Sequence, residues 1–315
     1  AEDGIRDLVL SLVGSEMCIR DRATYTLGFA NQSEELPFAV DVRRGLERAV
    51  ADLQNIDLVI GDNKLSGREA LRVADKLIER DVDLAIEYQI DHNVGGQIMN
   101  KFQQAHIPVI AIDIPMVGAT FFGIDNYRAG HDAGVAMGRW LEREWQGAPD
   151  VVFVLEEPRA GSLPAARIQG QLDGVAQVLG EIPKEKLVFL DSGNRSEISE
   201  HAVTVAMRAR PHAHRIAVLS FNTDAANGAL RAARGLDREA DVVIVGQGAD
   251  RLLLDEIRQP NSRIIGSASY RPEHYGAQLV QLALKILAGE PVPPAVYTDH
   301  VFIDAGNLDL YYPAV

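Results

Sequence analysis

Polar side chains recur at one kind of place in this 315-residue chain, just after short apolar runs. Asn31 and Gln32 follow "YTLGFA", Gln89 and Asp91 close "LAIEYQID", and Asp113 follows "IPVIAI". In the second half Arg167 and Gln169 stand in "AARIQG", Asn222 and Asp224 in "FNTD", and Gln247 and Asp250 in "VGQGAD". Amides, carboxylates and guanidinium groups offer paired donors or acceptors in fixed geometry, which suits vicinal hydroxyls. Phe38, Tyr88, Phe221 and Tyr270 add rings that can stack on the apolar face of a sugar. None of these groups is spaced as a nucleophile with its base, so the chemistry expected is binding, with no catalytic residue.

The common α/β enzyme motifs are missing. There is no G-x-S-x-G elbow and no G-x-x-x-x-G-K-[ST] phosphate loop, and "GQGADR" lacks the third glycine of a dinucleotide loop. His212 and His214 have no acidic or cysteine partner nearby in sequence, so no metal and no cofactor is expected. The net charge of −14 argues against nucleic acid and anionic membranes as partners.

The single cysteine, Cys18, lies in "AEDGIRDLVLSLVGSEMCIRDR". That stretch starts acidic and its apolar run is too broken for a secretory signal. It resembles translated sequencing-adaptor DNA over Ala1–Asp7 and Leu12–Asp21, so residues 1–22 are expected to be non-native. They carry five acids and three bases, which leaves −12 on the rest.

The elements that must hold the polar residues can be read from periodicity. From Ala23 onward β-branched runs such as "IDLVIGD", "IPVIAIDIP", "PDVVFVLEE" and "RIAVLSFN" alternate with amphipathic stretches. In "AVDVRRGLERAVADL", Val42, Leu46, Ala49, Val50 and Leu53 recur at helical spacing. This alternation predicts parallel sheets covered by helices on both faces, in two cycles of similar size. Residues Asp125 and Asn126 stand where a helix begins and are expected to cap it. The final stretch "YTDHVFID" is expected to be one extended segment.

Several stretches, "FFGIDNYRAGHDAG", "FNTDAANGALRAA" and "KILAGEPVPPAVYTDHVFIDAGN", preceded by "IPVIAIDIP", resemble the type I periplasmic sugar-binding protein family, the ribose-binding-like group. The resemblance runs from Tyr25 to Asn307 in the family's order. It implies two similar doubly wound parallel-sheet α/β lobes joined by a three-strand hinge, with crossings near Asp125, Tyr270 and Asp299. Lobe one would then comprise residues 23–125 plus 271–298, and lobe two 126–270 plus 299–315. By the same resemblance Asp113 and Asn222 accept and donate to sugar hydroxyls and Phe38 stacks on the ring. This chain departs from the ribose-type pattern at Ala39, Ile114, Gly248 and Tyr270, and Gln169 stands where a second arginine would. Asp250 is the substitute expected for the aspartate missing at Gly248.

The function implied is capture of a sugar, polyol or sugar acid in the cleft and its delivery to the membrane permease of an ABC importer. A periplasmic location, a monomer, and a chemoreceptor as a further partner come with that expectation. The alternative is the effector-binding core of a lactose-repressor-type transcription regulator.

Overall fold

In the computed structural model, residues 24–51 and 53–313 are described, so the stretch at 1–22 and its Cys18 lie outside them. The chain begins β1 (Tyr25–Asn31), α1 (Pro37–Ala51), β2 (Ile56–Asp62), α2 (Gly67–Glu79), β3 (Leu84–Glu87), α3 (Gly95–Gln104), β4 (Val109–Ile112) and β5 (Thr120–Ile124). The cycle then restarts with α4 (Asn126–Trp145), β6 (Val151–Glu156), α5 (Ser162–Leu179), β7 (Leu187–Asp191), α6 (Ser196–Arg208) and β8 (Ile216–Ser220). It continues through α7 (Thr223–Gly235), β9 (Val242–Gly248), α8 (Arg251–Ile257) and β10 (Ile264–Ser269). Last come α9 (Pro272–Leu287), β11 (Ala295–Thr298), β12 (Val301–Ile303) and the short α10 (Leu308–Tyr311).

Two six-stranded sheets result, ordered β11-β5-β4-β3-β1-β2 and β12-β10-β9-β8-β6-β7. The second repeats the strand order of the first, so the two sequence cycles are two copies of one topology. Central strands such as β3, β4 and β8 are buried along their whole length, as parallel strands covered on both faces must be. Helical spacing behaves as the periodicity requires: α2 turns Ala70, Val73, Ala74 and Leu77 inward.

The chain passes between the lobes three times: from β5 into α4, from β10 into α9, and from β11 into β12. Here the expectation of one final extended segment is corrected. Residues 299–300 break it, β11 pairs with β5 in the first sheet, and β12 pairs antiparallel with β10 in the second. The second sheet is therefore parallel except at that edge, because a strand entering from the other lobe arrives running the opposite way.

Backbone contact between helices fixes their positions closely. A Cβ added at Gly130 on α4 would stand 2.0 Å from the Arg167 carbonyl oxygen, and one at Gly170 on α5 would stand 2.2 Å from that of Tyr127. Helix α9 approaches α1 in the same way, with Gly276 directly against Gly45. These approaches place Arg167 on α5 at the cleft and Tyr275 on α9 behind it, within reach of Asp113.

Candidate functional site

The carboxyl ends of β1, β3 and β4 face those of β8, β9 and β10 across a cavity. Ligands bind at this end of open α/β sheets, where the strand order reverses. The cavity has an empty volume of about 560 Å³, counting the space where it opens to solvent.

Arg167 crosses the cavity from α5 and is buried. Its Nε and Nη2 donate to Asn126 Oδ1 at 2.9 and 2.6 Å, and Nη1 donates to the Phe221 carbonyl at 3.0 Å. The guanidinium carbon lies 4.4 Å from the Phe221 ring centre and 5.3 Å from that of Tyr270. Three of its five N–H groups are thus spent on the protein, and the remaining two have no acceptor among the described residues. Expected as a helix cap, Asn126 is buried and orients this arginine; the cap itself is Asp125, whose carboxylate accepts from Arg128 N at 3.0 Å.

Asp113 follows β4 in the left-handed conformation, φ 57°, which turns its carboxyl back over the sheet end. The Tyr275 hydroxyl donates to its Oδ1 at 3.4 Å, and Tyr88 bonds it too. Burial pushes its pKa up to about 6, against the pull of Arg167 and the two tyrosines. Tyr275, fully buried, packs edge-on against Phe122 and Phe38, so the acid's donor is held by aromatic contacts.

From the second lobe, Asn222 both caps α7, accepting from Ala225 N at 2.9 Å, and donates to Asn194 Oδ1 at 2.6 Å. Asp224 accepts from the Ser196 hydroxyl at 3.3 Å, and burial raises its pKa to about 6. Gln247 accepts from the Tyr270 hydroxyl at 2.7 Å. Among the described residues no cluster of metal-ligating side chains occurs, and no helix is long and apolar enough to cross a membrane.

Of the residues singled out in the sequence, the structure brings Gln32, Phe38, Asp113, Arg167, Asn222, Asp224, Gln247 and Tyr270 to the cavity. Five others it places elsewhere. Asn31, Gln89 and Asp91 alternate with Gln32, Tyr88 and Ile90, which do line the cavity, so in extended chain they take the opposite face. Asn31 donates to Ser33 O and Glu34, and Asp91 caps the short turn His92–Val94. Gln89 is buried, and neither of its amide atoms has a partner among the described residues. Gln169 is exposed and donates to Asp173; two residues beyond Arg167, it is about 200° further round the helix. Asp250 caps α8 through Leu253 N at 3.0 Å and is pushed up to about 7 by burial and then by Asp224. Leu36, Ile114, Ala160, Pro164, Asn194 and Thr223 also line the cavity without having been selected as ligand contacts. The strand end before Asn194, "VFLDSGN", carried the same signal as the others, but reads equally as a turn.

The model of the periplasmic binding protein domain matches residues 27–291. The chain belongs to the periplasmic binding protein domain family. Among curated relatives, the ribose import binding protein of Salmonella typhimurium is 25% identical over 259 residues, 81% of this chain and 82% of that protein. The D-ribose/D-allose-binding protein of Pseudomonas aeruginosa is 25% identical over 229 residues, 70% and 68% of the two chains. In fold the chain is similar to an ABC transporter solute-binding protein of Actinobacillus succinogenes with bound D-allose, with TM-score 0.78, 17% identity and coverage of 91% and 100%. It is also similar to one from Bacillus halodurans with bound myo-inositol, with TM-score 0.78, 16% identity and coverage of 93% and 98%.

In this periplasmic binding protein the lobes touch across the cleft. Arg195 of the second lobe lies 3.5 Å from Glu35 of the first, and Arg159 donates to the Leu65 carbonyl at 3.5 Å while its other end is held by buried Glu157. These two contacts bridge the lobes at the cleft.

Proposed function

We propose that this chain captures a small carbohydrate-like solute in the inter-lobe cleft and delivers it unaltered to an ABC importer. The observation that carries this is a cavity walled from both lobes by hydrogen-bonding side chains and rings together: Asp113 and Phe38 on one side, Arg167, Asn222 and Phe221 on the other. Hydroxyls need the first group and ring or chain carbons the second. The ribose and allose named for the relatives accord with it. Two carboxyls, Asp113 and Asp224, share the cavity with one guanidinium already bonded to protein acceptors, which favours a neutral solute over a sugar acid.

Closing and opening would occur about the three crossings, with lobe one as residues 23–125 plus 271–298 and lobe two as 126–270 plus 299–315. The closed pair of lobes is the state a permease would recognise. A periplasmic location, a monomeric state and a chemoreceptor as a second partner belong to the same proposal.

The test is a thermal-shift screen of sugars, polyols and sugar acids, followed by calorimetry. A micromolar ligand at millimolar concentration stabilises by about 4 kcal/mol. Silence across the whole panel, or turnover of any member of it, overturns the proposal.

A further inference from the structure

We propose that Arg159 is the latch of the cleft: a guanidinium aimed in advance from the second lobe at the Leu65 carbonyl of the first, which slows release of the captured solute. This rests on solute capture as proposed above and adds the positioning residue that governs residence time.

Arg159 stands in the short turn Pro158–Ala160 that follows β6. Glu157, whose side chain is fully buried, holds it in place. Its Oε1 accepts from Arg159 N at 3.0 Å and from Nε at 2.9 Å, and its Oε2 accepts from Nη2 at 2.7 Å. Nη2 also donates to the Gly193 carbonyl, two residues beyond β7, at 3.1 Å. All of these partners belong to the second lobe, so the fork keeps its direction whether or not the first lobe is near. A bidentate guanidinium is fixed in plane, unlike an ammonium on a flexible stem. The nitrogen left over, Nη1, donates to the Leu65 carbonyl at 3.5 Å.

The acceptor is set as firmly. Lys64 and Leu65 are both left-handed, φ 51° and 54°, a conformation that persists outside glycine only where the surroundings enforce it. Here Leu65 N donates to the Gln32 carbonyl at 3.0 Å, Ser66 N donates to that of Asn63 at 2.9 Å, and the Leu65 side chain is buried in the core. Asp91 of the first lobe attracts the guanidinium, as Asp191 does from the second.

Both anchors adjoin the solute cavity. Gln32, which accepts from Leu65 N, lines it, and so does Asn194, which follows Gly193 and accepts from Asn222. A solute held by those side chains steadies the two loops that Arg159 clips together. The latch sets only once the lobes meet, so it acts on release rather than on encounter. The other bridge, Arg195–Glu35, joins two exposed side chains at 3.5 Å, a kind of pair that contributes little.

Stopped-flow fluorescence on the full chain with D-ribose, D-allose and myo-inositol, extended to the rest of the sugar and polyol panel, tests this through Tyr88 and Tyr270 in the cavity wall. One variant is Arg159→Lys, which keeps a charge beside Glu157 but cannot span to Leu65 as well. The other combines Arg159→Met with Glu157→Gln, which leaves no buried charge unpaired. Each should release the solute about five- to tenfold faster than the wild type, the scale of one hydrogen bond from a charged group, with association within about twofold. Arg195→Ala should raise release by less than about twofold. A merely structural role would not produce that split between the two rates. Wild-type release from the folded variants, a loss confined to association, or an equal rise in Arg195→Ala overturns the latch and leaves solute capture standing. Should either variant fail to fold, the other decides. A wild type that binds no member of the panel overturns capture itself, and the latch with it.

Discussion

Asn126 Oδ1 accepts from Arg167 twice, from Nε at 2.9 Å and from Nη2 at 2.6 Å, joining the first turn of α4 to α5 beneath the cavity. The bond fixes the fork of the guanidinium so that its free N–H groups keep one orientation. An arginine bound only by its flexible stem would pay for that order on every binding event.

Replacing Asn126 by Ala should therefore weaken the ligand identified in the screen by at least about tenfold, and reduce stability by about 1–3 kcal/mol because buried N–H donors are stranded. Calorimetry and urea denaturation measure the two. Unchanged affinity would remove the orienting role.

Ligand affinity should fall with acid. Asp113 and Asp224 both line the cavity, and burial holds each at about 6, above an ordinary value of 3.8. Above pH 6 both are ionised acceptors for solute hydroxyls; below it they are protonated and the charge-assisted bonds are lost. Affinity measured from pH 8 to 5 should drop with a midpoint near 6. Asp113→Asn should flatten the profile in part, and the double change with Asp224→Asn should flatten it fully. A profile identical in all three proteins contradicts the assignment.

Glu87 governs stability instead. It is buried at the end of β3, where one oxygen accepts from Asn63 at 2.8 Å and the other has no partner among the described residues. Burial raises it to about 8 from an ordinary 4.5. Between those two values the folded chain keeps a proton that the unfolded chain has released, so this group's stabilisation is present below about 4.5 and is lost as pH rises to 8. Glu87→Gln should reduce the decline in melting temperature between pH 5 and 9. An identical slope in both proteins would count against it.

Gly130→Ala tests the helix contact that positions Arg167. Its Cβ would stand 2.0 Å from the Arg167 carbonyl oxygen, so α4 and α5 must separate. A loss of roughly 1–3 kcal/mol is expected, with weaker ligand binding alongside it. A stable variant with full affinity would show that the approach is not required.

Much of the fold was legible because a parallel sheet between helices imposes its period on every element. The runs that became β1 to β10 and the helices between them stand out by that period alone. The site was legible by strand ends, but not by face. Chemistry selected Asn31, Gln89 and Asp91 along with Gln32 and Tyr88, but of these the cavity took only Gln32 and Tyr88, with Ile90, from the alternate positions. Gln169 shows the same limit on a helix, where two residues separate the cavity from solvent.

By itself the sequence determined two α/β cycles, the polar and aromatic character of their strand ends, and the lack of catalytic motifs, since these depend on period and residue type. Only the tertiary structure decided which parity of each strand end meets the cleft, that Asn126 serves Arg167, and that Tyr270 walls the cavity. Those outcomes depend on the angle at which two lobes meet and on glycines that let helices touch, distances between residues far apart in the chain that no local pattern records.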